Sequence, residues 1–247
     1  MKETLPLIYQ DEHLVAVHKP SGLLIHRSEI DRHETRFALQ IVRDQIGRHV
    51  HAVHRLDKGT SGLLLFALSP EAASRLGRLF EEGGVDKRYL AVVRGWPEAA
   101  GQIDHPLSRR VDDYEQRTPA VNAPPQAALT RFRRLATVEL PIEVERYPTS
   151  RYALVELDPV TGRRHQLRRH LKHLSHPIIG DATYGKGRHN RMFAEQFGSH
   201  RLLLACTMMR FAHPLDGREL TLACPLAEDF QSLLNRLPWQ PPYPSAQ

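Results

Sequence analysis

His54-Arg55-Leu56-Asp57-Lys58-Gly59-Thr60-Ser61-Gly62-Leu63-Leu64-Leu65-Phe66-Ala67-Leu68 joins a polar, glycine-bearing loop to an unbroken apolar run. The run has the length of a strand, and its composition suits a buried one. Ahead of it a carboxylate stands two residues after a guanidinium, among glycines and hydroxyls. Loops at strand ends are where a rigid scaffold presents reactive groups. Taken alone, the same residues also fit a plain surface turn holding a local Arg55–Asp57 pair.

Working outward, Leu14-Val15-Ala16-Val17 reads as a second short buried strand, stopped by Pro20 and Gly22. Residues 37–46 carry apolar side chains at 38, 39, 41, 42 and 46, one helix face closed by Gly47. Ser69-Pro70 opens a helix that runs to Glu82, with Pro at a first helical position. Strand signals follow at 89–93, 130–138 and 152–157, then a helix over 163–174 and a strand near 201–204. Between them, 96–125 holds prolines at 97, 106, 119, 124 and 125 and reads as a loop-rich excursion. The proline-rich tail, 238–247, is expected to be disordered. Strands mixed irregularly with helices favour an α+β sheet over a doubly wound parallel one. The 247 residues suffice for one sizeable domain, or two lobes sharing a sheet; the reading is a single domain over 1–237.

A net charge of +6 and a pI near 9.5 favour a polyanionic partner. Cys206 and Cys224 lack the spacing of a zinc or redox pair. The first ten residues have no apolar leader segment, and no run approaches the ~18 apolar residues of a membrane span. A soluble, cytoplasmic protein is expected.

Thr161-Gly162-Arg163-Arg164-His165-Gln166-Leu167-Arg168-Arg169-His170-Leu171-Lys172-His173-Leu174 is the second chemically loaded stretch. Leu167, Leu171 and Leu174 fall at i, i+4 and i+7, while five Lys/Arg and no acid occupy the rest. Salt-bridged surface helices usually alternate sign, so an all-cationic one suits phosphate contacts. Arg163, Arg164, Arg169 and Lys172 are the candidates, with Arg131, Arg133 and Arg134 as weaker ones. His165, His170, His173 and His176 lie on a cationic helix or just beyond it, so no metal is expected. Tyr89, in Lys87-Arg88-Tyr89, reads by itself as a core aromatic.

Together, Lys19-Pro20-Ser21-Gly22, His54-Arg55-Leu56-Asp57 with Thr60-Ser61-Gly62, Lys87-Arg88-Tyr89, Thr161 through Arg168, and His176-Pro177-Ile178-Ile179-Gly180-Asp181 resemble the successive motifs of the RluA-type pseudouridine synthases. The resemblance spans roughly 7–226 in that family's order. It implies an isomerase of RNA uridine, with Asp57 as the catalytic carboxylate and Arg168 as the arginine that pairs with it. Tyr89 corresponds to the tyrosine that stacks on uracil and acts as base at C5. Arg55 corresponds to the arginine that fills the gap left by a flipped uridine, and Leu204 to an apolar wall of the base pocket. Isomerisation involves neither redox nor phosphoryl transfer, so no cofactor is expected. One departure is Ala205-Cys206, where the family usually has His-Ala after the leucines.

A narrower likeness, to tRNA-acting members, lies in His26-Arg27-Ser28 with Asp31-Arg32, Val42 through Gly47, Arg146-Tyr147-Pro148-Thr149, and Asn190 through Glu195. It implies tRNA as partner, with uridine 65 of the acceptor-side arm as target and no obligate protein partner. The fold implied is a mixed, mostly antiparallel central sheet with flanking helices and a central cleft. Six residues before Leu7 leave no room for a separate RNA-binding domain there. The alternatives are a ribosomal RNA or dual-specificity synthase, and a non-catalytic RNA-binding protein. The last would have no use for Asp57, Tyr89 and Arg168 together.

Overall fold

The computed structural model describes residues 3–26, 34–108 and 124–241. Residues 27–33, which carry part of the narrower likeness, and 109–123 of the excursion lie outside them. In chain order the elements are β1 Leu7–Gln10, β2 Leu14–Lys19, α1 Ala38–Ile46, β3 His51–Ala52, β4 Ser61–Ala67, α2 Pro70–Glu81, β5 Val85–Arg94 and β6 Ala100–Asp104. There follow β7 Leu129–Leu140, β8 Ser150–Pro159, α3 Gln166–His173, α4 Gly187–Phe197, β9 Leu204–Ala212, β10 Glu219–Ala223 and α5 Glu228–Arg236. The chain divides into two compact units, the first formed by 1–87, 106–127 and 206–225, the second by 88–105, 128–205 and 226–247.

In the first unit β2 runs antiparallel to both β1 and β4, in register from Leu14↔Ala67 to Lys19↔Gly62. Every residue of β4 is buried, as its continuous apolar run requires. The helix of 37–46 forms as α1, and Gly47 closes it in the left-handed region at φ 67°. Ser69 Oγ accepts from the Ala72 amide to start α2, with Pro70 where its missing N–H costs nothing.

In the second unit β8 lies between β5 and β7, both antiparallel to it, and β6 lines the outer edge of β7. Helices α4 and α5 close over this sheet. Tyr152, Leu154, Phe193, Phe230, Leu234 and Trp239 share one core cluster. The fold is the α+β class read from the sequence, and each of these ladders is antiparallel.

Three expectations are corrected. The helix of 163–174 begins only at Gln166, because His165 before it takes left-handed backbone at φ 54°, and Gln166 Oε1 accepts from the Arg163 amide and Thr161 Oγ1. The strand placed at 201–204 begins at Leu204 and runs to Ala212. The excursion contains β6, which completes a ladder with β7 from Ala100↔Arg133 to Asp104↔Leu129. Within the tail, Trp239 is buried and Gln240 exchanges backbone hydrogen bonds with Thr137 at 2.7 and 2.9 Å, while 242–247 lie outside the described residues.

Candidate active site

Asp57 sits half-buried in the loop from β3 to β4. The Thr60 amide donates to Asp57 O at 3.0 Å and closes a tight turn directly after it. A second loop clamps that turn. Lys19 is fully buried, and its Nζ donates to the carbonyls of Pro20, Leu23 and Lys58 at 3.0, 2.7 and 3.1 Å. Ser21 Oγ donates to Gly59 O at 2.7 Å, and the Gly22 amide to Lys58 O at 2.8 Å. A buried ammonium is tolerated only when its donors are satisfied, and three carbonyls do so here. Lys19-Pro20-Ser21-Gly22 is thus the mould for the loop that carries Asp57. Sequence spacing does not show this, because the contacts span nearly forty residues.

The other side of the loop is anchored by His54. Its Nε2 accepts from the Leu65 amide at 2.9 Å, and its ring stacks on Phe80 at 4.7 Å. Burial, with the Lys87 cation as a second cause, pushes the imidazole down to about 3. His54 is therefore neutral at working pH, with Nε2 as the acceptor. At the end of the loop Gly62 holds φ 104°, and a Cβ there would stand 2.1 Å from Cys206 O. Only glycine fits. Arg55 lies exposed within this loop.

The second unit holds the other residues of the likeness. Tyr89 is buried on β5 opposite Leu157 of β8. Arg168, on α3, makes a bidentate pair with Asp181, Nε to Oδ2 at 2.7 Å and Nη2 to Oδ1 at 2.9 Å. The Asp181 side chain is fully buried, and its Oδ1 also accepts from the Thr183 and Tyr184 amides at 2.9 Å each. Burial raises the Asp181 pKa. Arg168 and the backbone donors outweigh burial and hold it below the usual carboxylate range. The Tyr184 ring lies 5.1 Å from the Arg168 guanidinium carbon, so the arginine is fixed from two directions.

The loop carrying Asp181 is itself tied to β5. The Arg94 amide donates to Pro177 O, and the Ile179 amide to Val92 O. Gly180, at φ 79°, faces Arg201 O so closely that a Cβ would stand 1.8 Å away. Asn190 locks the same turn, accepting from the Gly180 amide and donating to Asp181 O. Asp181 and Asn190 fall within motifs of the likeness, and nothing in the sequence around them marks these roles.

Among the remaining candidates, Leu204 is buried at the start of β9. Arg163 and Lys172 are exposed, Arg164 and Arg169 half-buried. Lys172 follows Arg168 by one turn, and its Nζ lies 5.9 Å from the same Tyr184 ring. Arg133 spends its charge on Glu156 at 3.0 Å, and Arg134 donates to Pro97 O. His170 contacts Thr130 Oγ1 and His105 O, His165 contacts the Tyr184 hydroxyl, and His173 stacks on His105 at 3.8 Å.

Residues 13–173 match the family model described as RNA pseudouridylate synthase. The chain is 47% identical over 235 residues to tRNA pseudouridine synthase C of Vibrio parahaemolyticus, covering 95% of this chain and 96% of that protein. It is 48% identical over 236 residues to tRNA pseudouridine synthase C of Vibrio cholerae, covering 96% and 97%. In structure it is similar to human RNA pseudouridylate synthase domain containing 1, with a TM-score of 0.71 and 26% identity across 100% of this chain and 92% of that one.

Proposed function

The chain belongs to the RNA pseudouridylate synthase family, and we propose that it converts uridine to pseudouridine in tRNA, at position 65 of the acceptor-side arm. The observation that carries the substrate is the near full-length likeness to tRNA pseudouridine synthase C. The basic helix α3 and the net charge of +6 agree with a polyanionic partner.

In the proposed reaction the bond from C1′ of ribose to N1 of uracil breaks, the base turns, and C5 bonds to C1′. The C5 proton leaves and N1 gains one, so atoms and electrons balance. Bond breaking leaves electron deficiency on the sugar, which an adjacent carboxylate stabilises. We assign that carboxylate to Asp57. Its loop is preorganised by Lys19, Ser21 and His54, which supports a group that must meet the sugar without reorganising. Tyr89 stacks on the uracil and takes the C5 proton, and Leu204 walls the pocket. Arg168 supplies a cation to the reaction, and Arg55 fills the space the flipped nucleotide vacates. No helix among the described residues is long and apolar enough to cross a membrane, and we place the enzyme in the cytoplasm with its substrate.

The test is to map pseudouridine in total tRNA and ribosomal RNA from cells with and without the protein. Loss confined to uridine 65 of tRNA is expected. Loss confined to ribosomal RNA overturns the tRNA assignment.

A further inference from the structure

We propose that the second unit carries an additional nucleotide-binding cleft, at the end of β5 away from Tyr89, which takes an unpaired nucleotide of the RNA substrate. This rests on the tRNA reading above and names a contact that the reaction itself does not use. The cleft measures about 590 Å³, and residues 144–151 form much of its wall. That volume lies within the range of small-ligand sites. Tyr89 and Arg94 stand five residues apart on β5, about 17 Å at strand rise. A base flipped onto Tyr89 cannot also fill this cleft.

Its floor is fixed. Arg94 Nε donates to His189 Nε2 at 3.1 Å, and Arg94 Nη2 lies 3.7 Å from Glu145. His189 Nδ1 meets the Tyr152 hydroxyl at 2.8 Å, and His176 Nδ1 donates to Arg94 O at 2.8 Å. The Arg94 side chain nonetheless keeps 29% of its surface exposed. A guanidinium anchored on one side and open on the other is preorganised for an anion.

Tyr147 lines the cleft, and Trp96 follows its lining residue Gly95 in the chain. Only four large apolar side chains are exposed among the described residues, and two of them are Trp96 at 38% and Tyr147 at 51%. Each ring carries a guanidinium, Arg151 at 4.5 Å over Trp96 and Arg146 at 5.0 Å over Tyr147, and Arg151 is shared with Glu139 at 3.3 Å. Exposed rings beside arginines are the elements that hold unpaired nucleotides, with bases stacking and cations meeting phosphates. Arg146-Tyr147-Pro148-Thr149 is also one of the segments of the narrower tRNA likeness, and the chemistry above gives it no role.

The experiment measures binding of a full-length tRNA transcript, its salt dependence and single-turnover pseudouridine formation for wild type, Tyr147→Ala, Tyr147→Phe and Arg151→Ala. Tyr147→Ala should weaken binding about tenfold, the size of one lost stacked base. Tyr147→Phe should stay within about twofold, since the ring is kept, and the rate at saturating tRNA should be unchanged in all three variants. Arg151→Ala should shallow the log–log salt slope by about 0.7 if it meets one phosphate. Unchanged binding in both Tyr147→Ala and Arg151→Ala, or equal losses in Tyr147→Ala and Tyr147→Phe, overturns the proposal. Wild-type conversion in the same samples checks the tRNA reading separately, so the two cannot fail indistinguishably.

Discussion

Replacing Asp181 by Asn tests the pair that holds Arg168. The amide keeps the shape and leaves Oδ1 able to accept from the Thr183 and Tyr184 amides, but it removes the charge facing Arg168. The pair is buried, with Arg168 at 11% and Asp181 at 0% side-chain exposure. Removing one partner of a buried pair costs about 3–5 kcal/mol. The residual exposure of Arg168 and the retained amide contacts put the expected loss at the lower end, about 3 kcal/mol. For a chain of this size about 1 kcal/mol shifts the melting temperature by 2–4 °C, so a fall of about 6–12 °C is expected by differential scanning fluorimetry near pH 7. The pH dependence adds a second signature. A carboxylate whose folded pKa is depressed contributes stability that is present above its unfolded value and lost as pH falls through the folded one. The deficit of Asp181→Asn should therefore shrink on acidification below the ordinary carboxylate range. A melting temperature within 1 °C of wild type at pH 7 would refute the account of Arg168 as built into place by Asp181.

Gly62→Ala should fail to fold stably, because its Cβ meets the Cys206 carbonyl at 2.1 Å and φ is 104°; solubility and thermal unfolding check this. Arg168→Ala should lower the single-turnover rate far more than Arg169→Ala, since adjacent helical residues point about 100° apart. Equal small losses in both would reduce α3 to a source of charge.

The elements that were legible in the sequence are those whose local chemistry and tertiary burial agree. β2 and β4 are buried throughout or nearly so, and their apolar runs said as much. α2 had its cap, and α1 its glycine stop. β6 was hidden because it is a short, mostly exposed edge strand with Gly101 inside it, held by its ladder with β7 rather than by apolar alternation. α4 was hidden because Lys186 at its start makes no capping side-chain bond and its first turn is polar. The late start of α3 turns on the left-handed backbone of His165, which no side-chain pattern announces, with Gln166 bonding back to Thr161 and Arg163. At the site, the reactive-looking loop of Asp57 could be read directly. The buried Lys19 clamp, the neutral His54 and the Arg168–Asp181 pair could not, because each depends on partners brought together only by folding.

The most direct test of the central claim is pseudouridine formation on tRNA by Asp57→Asn, measured alongside tRNA affinity and thermal stability. The change removes the negative charge from the half-buried loop while preserving shape, so the loss should fall on chemistry rather than binding. Wild-type affinity and melting temperature with no detectable conversion is the expected result. Conversion at a rate near that of wild type would contradict the assignment of Asp57 as the catalytic carboxylate.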